Sequence, residues 1–128
     1  MDQRLTDELT LTADPRSIRV ARGFLASIAR ELDLPTDTVA VAELALSEIV
    51  TNAVVHGLPP IVVQVRATPE RLRVSVSDAS PVHPRADETR LDATGGRGLA
   101  IVAAVAGDWG CEPDPVGPGK RIWFSVSP

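Results

Sequence analysis

Three side chains in the middle of the chain could do chemistry together: Glu48, Asn52 and His56. They stand at four-residue intervals, so on a helix they stack one turn above the next along a single face. A carboxylate, an amide and an imidazole on a rigid support present oxygen and nitrogen ligands. Such a set can hold Mg²⁺ and polarise a water or a hydroxyl. The competing reading of the same spacing is a solvated polar face. A second acid, Asp78, closes an alternating strand in the parity of its apolar residues. It therefore points at the helical layer, where a carboxylate needs a donor. That donor is either a ligand or the backbone amides of the following turn. A third feature is Gly95-Gly96-Arg97-Gly98, directly followed by the apolar run that starts at Leu99. Glycines opening a helix let backbone N–H groups approach an anion, which the helix dipole favours.

The elements that must position these residues follow from periodicity. A first strand is expected near residues 8–12. Asp14-Pro15 marks a helix start, with the acid as cap, and Ile18, Phe24, Leu25, Ile28 and Leu32 give an amphipathic helix ending before Pro35. Thr36 is expected to cap the next helix, whose apolar stripe is Ala42, Leu46, Ile49 and Ala53 and which stops at Gly57. Strands over residues 61–66 and 72–77 follow, joined by the turn at Thr68-Pro69-Glu70. A polar loop from about 80 to 95 has the length of a lid. It leads into a short helix over 99–106, and strands near 109–112 and 121–126 close the chain. This order predicts an α+β fold, a two-layer sandwich whose mixed, mostly antiparallel sheet is covered on one face by three helices.

The 128 residues form one expected domain, 1–128, large enough for a core without staples. A net charge of −4 with interspersed signs gives no basic field for nucleic acid. The single cysteine, Cys111, excludes a disulfide framework within the chain. The opening Met1-Asp2-Gln3-Arg4 has no signal pattern and no apolar run approaches bilayer length, so a cytoplasmic, membrane-free protein is expected. Trp109 and Trp123 are expected to pack the sheet, His83 to be solvated, and Arg97 or Arg90 to be available to phosphate.

Taken in order, these features resemble the GHKL ATP-binding fold of gyrase, Hsp90, histidine kinases and MutL. More narrowly, the chain resembles the anti-sigma-factor serine kinases. The resemblance spans nearly the whole chain. Residues 48–57, Glu-Ile-Val-Thr-Asn-Ala-Val-Val-His-Gly, match the family's N box. That match implies Glu48 as catalytic base and Asn52 as the Mg²⁺ ligand. Val74-Ser75-Val76-Ser77-Asp78 matches the strand whose terminal acid recognises the adenine amine. Gly96, Arg97, Gly98 and Leu99 match the second glycine box, which implies phosphate contacts, and Gly119-Lys120-Arg121-Ile122-Trp123-Phe124 resembles the closing strand. ATP and Mg²⁺ are the implied cofactors. A sigma factor and an STAS-type anti-anti-sigma protein are the implied partners, with a homodimer by analogy.

Two departures stand out. The first glycine box of the family, Asp-x-Gly-x-Gly, is here Asp78-Ala79-Ser80-Pro81-Val82, which stiffens the exit into the lid. The threonine that often opens the last strand is replaced by Lys120 or Arg121. The implied function is a Mg-ATP-dependent serine kinase acting as an anti-sigma factor. The altered glycine box favours the alternative, a non-catalytic module that sequesters a regulator with or without nucleotide. A detached histidine-kinase catalytic domain ranks third, for want of an upstream helix pair bearing a phosphoacceptor histidine.

Overall fold

The computed structural model describes residues 5–81, 102, 106–115 and 117–127. Its elements are β1 (Leu5–Leu11), α1 (Arg16–Glu31), α2 (Thr36–His56), β2 (Ile61–Ala67), β3 (Leu72–Asp78), β4 (Asp108–Pro113) and β5 (Lys120–Val126). The strands form one sheet in the order β1-β2-β3-β5-β4, and every described pairing is antiparallel. The expected mixed sheet is thus wholly antiparallel among the described strands. Of the three expected helices, the third falls largely outside the described residues. Val102 is helical and buried, and the Ala106 N–H donates to its carbonyl at 2.9 Å.

The core lies between the helices and one face of the sheet. Alternation in β2, β3 and β5 turns Ile61, Val63, Val65, Leu72, Val74, Val76, Ile122 and Phe124 inward, all 3% exposed or less. Register stacks them: Val65 opposes Val74, which opposes Phe124, and Val63 opposes Val76, which opposes Ile122. Against this wall α2 lays Ala42, Leu46, Ile49 and Ala53, the expected stripe, widened by Ala45 and Val50. Burial of each large side chain contributes about 1.5–3 kcal/mol. By length and mean hydropathy α2 would also suffice to cross a bilayer, contrary to the sequence expectation. Its apolarity is that of a helix packed on a sheet.

The ends of the elements differ from expectation in instructive ways. β1 begins three residues early because Asp7, at inward parity but exposed, interrupts the alternation, while the backbone ladder runs unbroken from Leu5–Ala67 to Leu11–Ile61. α1 begins one residue late, yet Asp14 still serves its first turn: Oδ1 accepts the Arg16 N–H at 2.8 Å. Its last turn closes with Asp33 at φ 52, a left-handed residue after which the Leu34 N–H reaches back to the Ala29 carbonyl at 3.0 Å. Thr36 does not cap α2. The cap position is Pro35, extended at ψ 146, with no side-chain oxygen to offer, and its carbonyl accepts the Val39 N–H.

Candidate functional site

The C-terminus of α2 and the C-terminus of β3 meet at Asp78. The contact is made by glycine. A Cβ on Gly57 would lie 2.6 Å from Asp78 Cγ and 2.7 Å from Oδ2, so no larger residue fits. Gly57 sits at φ −91, ψ −171, in extended conformation, so its role is close approach and not a left-handed helix stop. On the other side of the strand, a Cβ on Gly119 would fall 1.7 Å from the Asp78 carbonyl oxygen. Two backbones thus press on one acid.

The Asp78 carboxylate is 5% exposed and fully engaged. Oδ1 accepts the Ser80 N–H at 2.8 Å and the Leu58 N–H at 3.4 Å. The Lys120 ammonium donates to Oδ1 at 3.1 Å and lies 3.0 Å from Oδ2, with both side chains 4% exposed or less. The Ala79 N–H closes the arrangement by donating to the Leu58 carbonyl at 2.8 Å. Of the two donors foreseen from sequence, the backbone amides are therefore present. The lysine is the partner that sequence reasoning missed. A signal for it existed: Lys120 shares the parity of Ile122 and Phe124, so it points inward, as Asp78 does. Antiparallel pairing sets the two directly opposite one another. Opposite charges facing one core at the same sheet end must find each other, because neither is tolerated there alone.

Glu48 and Asn52 are half-buried on α2, flanking the buried Ile49 and Ala53. Asn52 precedes Gly57 by about 7.5 Å of helix axis and Glu48 by about 13.5 Å, at the usual rise per residue. Both therefore stand along the helix that ends against Asp78. No hydrogen bond or ion pair joins either to another side chain among the described residues. His56, the next in the stack, is exposed. Gly96, Arg97, Gly98 and Leu99 lie outside the described residues, as do His83, Arg90 and the expected lid beyond Pro81.

The opposite face of the sheet carries a different chemistry. Arg73 stacks on Trp123 with its guanidinium carbon 4.4 Å from the ring centroid, and Gly110 leaves room for that indole. Arg121 is paired with Glu112, and a groove of about 310 Å³ runs between Gln64, Arg66, Arg73, Ser75, Pro115 and Arg121. Cys111, half-buried at the edge, has its thiol pKa pushed up by burial, an effect that the nearby Lys120 partly offsets.

Comparison with known proteins agrees with this architecture. No curated protein matches the chain. Among solved structures, it is similar to the crystal structure of the RsbU and RsbW domains of Rv1364c from Mycobacterium tuberculosis. The TM-score is 0.73 at 23% identity, over 95% of this chain but only 31% of that one. At that identity the likeness speaks to the fold, and this chain spans about a third of the other's length. Residues 11–125 match the histidine kinase-like ATPase domain. With nearly the whole sandwich inside that match, the chain belongs to the histidine kinase-like ATPase family.

Proposed function

We propose that this chain is an anti-sigma regulatory factor with Mg-ATP-dependent serine kinase activity toward an STAS-type anti-anti-sigma partner. Family membership supports the use of ATP, and the fold shared with a structure that includes an RsbW domain supports the regulatory setting. The observation that carries the reading is the end of α2: the helix bearing Glu48 and Asn52 runs directly into Asp78 through Gly57. The helix would thus run from the acid at the base end of the nucleotide to the general base. Asp78 would face the base end of the nucleotide, Asn52 the metal-bound phosphates, and Glu48 the terminal phosphate and the incoming hydroxyl.

The donors fit such a ligand. Among the described residues no cluster of three or more His, Cys, Asp or Glu exists to hold a cation by protein alone. A half-buried Asn52 suits an Mg²⁺ held chiefly by phosphate oxygens and water. When bound, that ion would neutralise charge on the phosphates during transfer. Glu48 would accept the proton of the attacking serine hydroxyl, and α2, packed along its length on the sheet, would hold Glu48 and Asn52 in fixed relation. The phosphate end would be completed by Gly96, Arg97, Gly98 and Leu99.

The test is transfer of label from γ-labelled ATP to the cognate STAS protein. Glu48→Ala is expected to reduce transfer at least about 100-fold while nucleotide binding persists. Wild-type protein that binds ATP yet labels no STAS partner would end the kinase reading. The second reading, a sequestering module without catalysis, is favoured by one observation: Asp78 is already engaged by Lys120.

A further inference from the structure

An ionised carboxylate offers about four acceptor positions. At Asp78 the structure supplies four donor contacts: two from the Lys120 ammonium, one from the Ser80 amide and one from the Leu58 amide. Oδ2 has the fewest, a single contact, but Gly57 is packed against that oxygen so closely that a Cβ would stand 2.7 Å away. An exocyclic amine arriving from a purine therefore meets an acid whose acceptor positions are largely taken. It must displace an ammonium, which adds the attraction of opposite charges to a hydrogen bond that a neutral amine can only match in part, and it must do so inside a buried pair. The cost of separating such a pair falls on the base and not on the phosphates, which would bind elsewhere on the helix.

We propose that Lys120 sets the base selectivity of this site by competing with the exocyclic amine of a purine for Asp78. The inference rests on the nucleotide-binding reading above. The wild-type chain then holds a nucleoside triphosphate through its phosphates and reads its base poorly. Replacing the lysine by a residue that leaves Asp78 an open position converts the same pocket into one that distinguishes a 6-aminopurine. A lysine that merely staples β3 to β5 would contribute to stability without altering the ratio of affinities between two bases.

Calorimetry on the full chain with Mg²⁺ and three ligands decides the matter: ATP, GTP, and the triphosphate of unsubstituted purine riboside, which lacks the amine. The wild type is expected to bind ATP and the amine-free analogue within about threefold of each other, which is less than one hydrogen bond to a charged group would give. Lys120→Thr is expected to bind ATP about tenfold tighter and to prefer it over the amine-free analogue by about tenfold, the worth of one such bond. GTP, whose keto oxygen repels a bared carboxylate, should weaken in the same variant. Circular dichroism and a thermal melt verify the fold, and Lys120→Gln, neutral but of similar reach, takes over where the threonine variant does not fold. A wild type that already prefers ATP tenfold overturns the inference, as does a folded variant with an unchanged ratio, or a failure of both variants to fold. In those cases triphosphate binding by the wild type persists and the nucleotide reading stands. Absence of triphosphate binding in every protein at millimolar concentration removes that reading as well.

Discussion

Lys120 and Arg121 are neighbours on β5, each paired with a carboxylate on an adjacent strand, yet they live in opposite environments. Lys120 meets Asp78 on the inner face with both side chains 4% exposed or less. Arg121 meets Glu112 on the outer face at 25% and 39% exposure, where Arg73 shares the same carboxylate at 4.0 Å and leans on Trp123. The outer cluster is screened by water, with one of its arginines stacked on Trp123. The inner pair has exchanged hydration for each other and for two backbone amides, so neither partner can be removed without stranding the second. One residue of strand separates a charge pair the fold depends on from one it hardly notices.

The contrast is broken most directly at Lys120. Lys120→Met is expected to lower unfolding free energy in urea by about 3–5 kcal/mol, since it leaves a buried carboxylate partnered only by amides. Adding Asp78→Asn to that variant should recover most of the loss, because two neutral groups need no counter-charge. An additive double mutant would refute the pairing. A subtler reporter is Cys111, whose thiol Lys120 draws down against the effect of burial. In a folded Lys120→Thr protein that pull is gone, so the thiol pKa should rise further and labelling by a thiol reagent at pH 8 should slow, as a titration of the labelling rate will register. The smallest change belongs to the outer face: Glu112→Gln is expected to cost less than about 1 kcal/mol, and to cost still less in high salt.

What the sequence made legible was local. The alternation in residues 72–77 turned Asp78 inward, and the helical stripe from Ala42 to Ala53 named the surface that packs the sheet. Strand and helix identities followed from the same patterns, apart from end effects. Those end effects had local causes of another kind: Asp7 masks the start of β1, and Pro35 takes the place expected of Thr36. Two things resisted. The partner of Asp78 lies 42 residues away and is fixed by strand register, which no window of neighbours contains. The use of Gly57 is likewise tertiary, because its backbone is one that any residue adopts and only the nearness of Asp78 forbids a side chain. The half of the site made by Glu48, Asn52 and Asp78 rests on described elements, while that made by Gly96 to Leu99 does not.

The exchange of hydrogen bonds between Leu58 and the Asp78-Ala79 step has a mechanical meaning. It rivets the chain as it leaves β3 to the chain as it leaves α2, and Ser80 is drawn into the same joint by its amide. The polypeptide therefore leaves β3 from a fulcrum bolted to the longest helix in the described fold. A tug transmitted back through that fulcrum would arrive at the foot of the helix bearing Asn52 and Glu48.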